Sequence, residues 1–156
     1  MTQAVAPAKT AVTLTGLLAP LSDRTLLLPN VALAELVPLR GIQTSENMPR
    51  WLLGQVGWRD LRLPLLSFEA ASGAEVPPIE GARVAVLNAL GGREKFKFMA
   101  LLLQGIPRSV KVSEDLPAAD VSLAVLELGA ARIGDDVVRI PDLIGLEQLL
   151  ADAGLI

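Results

Sequence analysis

Residues Trp51 to Glu69, WLLGQVGWRDLRLPLLSFE, decide the fold. Leu61, Leu63 and Leu65 alternate with Arg62 and Pro64, and Leu66 and Phe68 carry the run on to Glu69. Apolar residues at every second position belong to a strand with one buried face. Pro64 cannot donate to a ladder, so this segment is expected at a sheet edge or on a bulge. The same punctuation continues upstream: Leu26 to Leu28 stops at Pro29-Asn30, Leu33 to Val37 stops at Pro38, and Trp51 to Leu53 leads to Gly54. Short apolar pieces cut by Pro and Gly are strands more often than helices.

Downstream, Ala70 to Glu80 (AASGAEVPPIE) has the composition of a linker. Arg83 to Leu87 then reads as an outgoing strand, Gly91-Gly92 as a hairpin tip and Glu94 to Leu103 as the return. In the return, Phe96 and Phe98 are expected to face the core, with Lys95 and Lys97 facing water. Ala131 to Ile133, the turn Gly134-Asp135 and Val137 to Ile140 form a second hairpin. The one helix expected is C-terminal, with Asp142 as N-cap, Leu143, Leu146, Leu149 and Leu150 on one face, and Gly154 past its end. Residues 1–10 read as a small, polar lead. Turn signals every ~8–12 residues point to an all-β protein of small barrels.

Composition removes whole classes of chemistry. The 156 residues contain no Cys, so neither a disulfide nor a thiolate site can form, and no His, which removes the commonest general base and zinc ligand. A net charge of −3 speaks against a nucleic-acid backbone as partner. The mean hydropathy of +0.47 raises the question of a membrane. Yet the charge-free stretch Thr10 to Ser22 is 13 residues long, short of the ~20 a spanning helix needs. Only Lys9 precedes it, and Ala19-Pro20-Leu21 is no small-x-small cleavage site, so a signal peptide is not expected. The hydrophobicity is assigned to a folded domain with more apolar surface than it can bury.

Candidate catalytic groups reduce to turns and loops. Gly91-Gly92 precedes a strand and lacks the Gly-Lys-Ser/Thr ending of a phosphate loop. Asp135-Asp136 and Glu114-Asp115 fall where solvated turns are expected. Asp60 stands beside Arg59, which could neutralise it, and Ser67 and Ser72 have no histidine to activate them. No enzyme is expected, and no cofactor or metal. What is left is protein contact: Trp51, Trp58 and Arg59 are of the types that dominate interface hot spots.

The segment Leu28 to Glu69 resembles the CheW family, the coupling proteins that join chemoreceptors to the CheA histidine kinase. The resemblance rests on Leu33-Ala34-Glu35-Leu36, then Leu53-Gly54 through Trp58-Arg59-Asp60, then Leu63-Pro64-Leu65-Leu66-Ser67-Phe68. Val84 to Asn88, Gly91-Gly92, Phe98 to Ile106, Gly134-Asp135 and Leu146 to Leu150 follow in the family's order. Departures are Asp60 for the glycine that closes the family's loop, Ser67 for its strand aspartate, and Val37-Pro38 for its Arg-Gly. The run Leu26 to Glu35 and the Trp-Arg-Asp turn look more like the ChpC and PilI type, of chemosensory systems governing type IV pili and twitching motility.

The resemblance implies two five-stranded SH3-like or OB-like barrels in tandem with a short C-terminal helix. Lobe one would span about 11–72, a linker 73–80 and lobe two 81–156, with terminal strands exchanged between lobes. It implies a non-catalytic adaptor, cytoplasmic at receptor arrays on the inner face of the membrane. Its partners would be a CheA-type kinase regulatory domain, packed on the first lobe, and the tip of a methyl-accepting chemoreceptor, held in a groove between lobes. By position, Leu33, Glu35, Gly54, Trp58, Arg59 and Ile106 would be the partner-binding residues. Neither nucleic acid nor membrane insertion is implied. A small barrel binding a ligand or an oligonucleotide is the alternative.

Overall fold

The computed structural model describes residues 13–156; the lead read at 1–10 lies outside them. In chain order the elements are β1 (Thr13–Pro20), β2 (Thr25–Pro29), a 3-10 turn (Asn30–Ala32), β3 (Leu33–Pro38), β4 (Leu52–Trp58) and β5 (Leu61–Leu66). There follow α1 (Phe68–Ala71), β6 (Arg83–Asn88), β7 (Phe98–Leu103), β8 (Arg108–Ser113), β9 (Glu127–Ile133), β10 (Asp136–Pro141) and α2 (Leu143–Asp152). The strands form two five-stranded sheets, β8-β1-β2-β10-β9 and β3-β6-β7-β5-β4. The fold is therefore all-β with a C-terminal helix.

Each sheet draws strands from both sides of residues 73–80. Sheet one joins the β1–β2 hairpin to β8, β9 and β10, through a parallel contact at Leu26 and Arg139. Sheet two joins β3, β4 and β5 to the β6–β7 hairpin, through a parallel pairing of Leu65 with Ala100 and Leu66 with Leu101. Both sheets curl towards closure. In sheet one Ala118, on the connection leaving edge strand β8, bridges to Ala131 on the other edge, β9. In sheet two Gln43, on the connection leaving β3, bridges to Gln55 of β4.

Successive residues of a strand face opposite sides, and here both sides of the central strands are dry. Ala85 and Leu87, with Met99, Leu101 and Leu103, enter a core that also takes Leu17, Ala19, Leu26 and Leu28 of sheet one and Leu143, Leu146 and Leu150 of α2. Their neighbours Val84, Val86, Ala100 and Leu102 fill the interior of sheet two with Val56, Leu63 and Leu65. A smaller cluster of Leu18, Ala131 and Val138 fills sheet one. Burying each large aliphatic side chain is worth ~1.5–3 kcal/mol. Burial on two faces uses up much of the apolar excess that the composition shows.

Several expectations are corrected. β5 is an interior strand, between β7 and β4, and not a sheet edge. Pro64 is tolerated there because its cross-strand partner Gln55 directs both backbone groups to Gln43, at 2.8 and 2.9 Å. On the other flank the pairing with β7 begins only at Leu65. The return strand starts at Phe98, not Glu94. Phe96 is buried in the shared core while Phe98 packs at the rim of sheet two, so the two rings serve different cores; Lys95 and Lys97 are exposed as expected. The run continued through Phe68 ends instead in the single turn α1. There the Ser67 hydroxyl accepts the Ala70 amide, so serine fills a capping role that aspartate also fills well. α2 forms with the expected cap, the Asp142 carboxylate accepting the Gly145 amide at 2.9 Å, but its buried face is Leu143, Leu146, Glu147 and Leu150, with Leu149 only half-buried. Among the described residues no helix is long and apolar enough to cross a membrane.

Candidate functional site

Two β-bulges build the site. Across sheet two, Leu33 faces Leu87 but Glu35 faces Val86, so β3 carries one extra residue. Leu52 faces Leu66 but Gly54 faces Leu65, so β4 does as well. A bulge switches the side of the sheet to which later residues point. Leu33 therefore packs on the shared core, while Val37 and Glu35 belong to the opposite face. Likewise Leu52 enters the shared core and Val56 the interior of sheet two.

The β4 bulge depends on Gly54. Its φ is +148°, and a Cβ there would sit 2.5 Å from the Gln43 carbonyl oxygen and 2.5 Å from Ile42 Cγ2. The approach lets Gln43 exchange two backbone hydrogen bonds with Gln55. Gly54 is thus buried scaffolding, at a backbone conformation that only glycine adopts readily.

At the far end of β4 the chain reverses through Arg59 and Asp60, with φ of +46° and +63°. Positive φ at both central residues is the type I′ geometry that matches the strand twist. The turn throws Arg59 back over its own strand, its guanidinium 4.7 Å from the Trp58 ring centre. Glu35 Oε1 accepts from both Trp58 Nε1, at 3.0 Å, and Arg59 Nη2, at 3.2 Å. Asp60 does not neutralise Arg59; Glu35 does, from across the sheet. Behind them Trp58 meets Phe98 edge-on, with centroids 4.8 Å apart. Phe98 was not among the expected site residues, though the aromatic alternation around it was the signal for it.

The arrangement is exposed. The Arg59 side chain is 71% and that of Glu35 42% accessible, so their ion pair is worth at most ~1 kcal/mol. Stacking on Trp58 adds ~0.5–1 kcal/mol. The gain to the fold is small; the result is an arginine held in one orientation at the surface.

Of the six expected partner-binding residues, Glu35, Trp58 and Arg59 are in contact. Leu33 lies two residues from Glu35 and half-buried, and Gly54 is buried four residues along β4. Ile106 stands apart. It is 62% exposed just past the end of β7, whereas Phe98, against Trp58, begins that strand. A strand of this length separates its ends by ~20 Å.

Among the described residues no group of three or more His, Cys, Asp or Glu could hold a metal ion. Three glutamates lie buried elsewhere. Glu147 accepts the amides of Leu90 and Gly91 and pairs with Arg93. Glu127 pairs with Arg24 and Arg139, and Glu69 accepts from Ser22. They join separate elements of the chain and were invisible to motif reading, because the partners on those other elements are more than ten residues away in sequence.

Two interleaved five-stranded sheets sharing one core, with a stacked and ion-paired arginine exposed at the end of one hairpin, define a double-sheet β fold. The family follows from comparison. The CheW-like domain matches residues 15–151, and the chain belongs to that family. Among solved structures, the scaffolding protein TtCheW from Thermoanaerobacter tengcongensis is similar in fold. It superposes with a TM-score of 0.69 at 16% identity, over 83% of this chain and 89% of that one. No curated protein matches by sequence.

Proposed function

We propose that this chain is a non-catalytic adaptor coupling a chemoreceptor to a CheA-type histidine kinase. The observation that carries the reading is the Glu35–Trp58–Arg59 corner, an exposed arginine fixed by stacking and by an ion pair at the end of a hairpin. In this reading the corner meets the receptor tip, Leu33 and Gly54 support it, and Ile106 contributes a separate contact. Sheet one carries a cleft of about 500 Å³ lined by Leu14, Leu27, Val31, Val112 and Ile140. Leu14 is 65% and Val31 72% exposed, which suits an apolar contact with the kinase's regulatory domain. The run Leu26 to Glu35 and the Trp-Arg-Asp turn favour a system of the ChpC/PilI type, controlling type IV pili and twitching. Such an adaptor works in the cytoplasm, at receptor arrays on the inner face of the membrane.

The test is co-purification of the full chain with candidate receptor tips and kinase regulatory domains. Both should be captured; capture of neither overturns the reading. Arg59→Glu should lower receptor capture about tenfold while leaving kinase capture intact. Val31→Asp should do the reverse.

A further inference from the structure

A second cleft, of about 520 Å³, opens between the β4–β5 hairpin, the segment leading into β7 and the residues after α2. Arg62, Lys95 and Lys97 stand around it, and its lining contains no Asp or Glu. All three are exposed, and none pairs with a carboxylate among the described residues. A fourth cation, Arg93, is held by Glu147 and Gln148. Glu94, next to it in sequence, is not part of the lining. Three unpaired cations thus converge in a protein whose net charge is −3.

Phe96, between the two lysines, is buried in the shared core, while Lys95, in a turn, and Lys97 are both exposed. The Lys97 carbonyl is tied to the Ala89 amide at 2.8 Å, which anchors the backbone there. Between the cations the surface is apolar: Leu61 is 44% and Met48 39% exposed, and Phe98 forms part of the wall. Like charges kept close without internal partners cost stability, and an apolar floor ringed by cations suits an amphipathic anion better than a solvated ion.

We propose that this cleft docks an acidic segment of a partner protein, one carrying carboxylates on both sides of an apolar anchor. The anchor meets Leu61 and Met48 while the carboxylates meet Lys95, Lys97 and Arg62. This surface is separate from the Glu35–Arg59 corner, where the guanidinium already has its counter-ion, although Phe98 adjoins both. Single-stranded nucleic acid is the poorer occupant, because no aromatic face lies open for base stacking: Phe96 is buried and Phe98 half-buried.

The probe is a short labelled peptide of glutamates around a pair of leucines, titrated with the full chain by fluorescence anisotropy at low salt. A control peptide carries lysine for every glutamate. The acidic peptide should bind and the lysine peptide should not, with affinity falling as salt rises. Lys95→Glu with Lys97→Glu should weaken binding about tenfold. Lys111→Glu with Arg132→Glu, the same charge change on sheet one, should alter it less than about twofold. Arg59→Glu should leave peptide binding intact, which separates this cleft from the receptor-facing corner. Four results would overturn the proposal: no binding of the acidic peptide, equal binding of the lysine peptide, equal weakening by the sheet-one pair, or tighter binding of a single-stranded oligonucleotide.

Discussion

Gly54 and Gly41 both have positive φ, but their surroundings differ. A Cβ at Gly41, with φ of +49°, would meet nothing within 4 Å. Gly41→Ala should therefore cost only the left-handed backbone term, about 1 kcal/mol. Gly54→Ala adds a collision with backbone and should cost at least about 2 kcal/mol more, read by urea denaturation. Equal costs would mean that the β4 bulge can relax. At Arg59 the expectation is opposite: Arg59→Glu should move the melting temperature by no more than about 3 °C, since exposed pairs contribute little. A large thermal loss would make Arg59 a structural residue. Both Gly54 and Arg59 could be singled out in the sequence, as a glycine within an apolar run and an arginine in the turn that follows it. The counter-ion of Arg59 could not, because Asp60 is adjacent in sequence while Glu35 becomes adjacent only through sheet pairing.

Among the elements, α2 and the β6–β7 hairpin are held together by one carboxylate. Glu147 is fully buried and accepts Leu90 N at 2.7 Å and Gly91 N at 3.0 Å. Glu147→Ala would strand two amide donors and should cost about 3 kcal/mol. Glu147→Gln, which keeps an acceptor oxygen, should recover about half of that. The outcome that would refute this is near-equal stability of the alanine variant and the natural chain in chemical denaturation. The strands themselves were largely readable from Pro and Gly punctuation, and α2 from its cap and leucine spacing. The failures have a common cause. Period-two reasoning assumes an unbroken ladder and one wet face, and bulges at β3 and β4 break the first condition while the shared core removes the second. β1 and β8 went unread, although in β8 Val110 and Val112 alternate with polar neighbours; the two pair with each other from about ninety residues apart.

At the scale of the whole molecule, Arg24 is a junction between the sheets. It holds Asp23 with two 2.8 Å contacts, Glu127 at 2.9 Å and Ser72 at 2.8 Å, and its guanidinium lies over the Phe68 ring. The Arg24 hydrogen bond, outweighing the effect of burial, holds the Asp23 carboxyl below its ordinary value of 3.8. A carboxyl depressed in the folded state contributes stability above its unfolded pKa and loses it as pH falls through the folded one. Stability should decline with acid below about pH 4, and Asp23→Asn should flatten that part of the profile; an unchanged slope would refute the link. Because one core takes side chains from both sheets and α2, heating should give a single transition with matching calorimetric and van't Hoff enthalpies. Two resolved transitions would mean that the sheets are separate units.

The interleaving of the sheets bears on how the chain can be made. As it leaves the ribosome, sheet two has all its strands once Leu103 has emerged, but sheet one waits for Pro141. Until then β1 and β2 form a hairpin whose Leu17, Leu26 and Leu28 have only part of their final cover. Synthesis therefore runs against the spatial order: the first strands made belong to the last sheet completed. A chain cut within residues 73–80 yields two fragments, and neither contains a whole sheet.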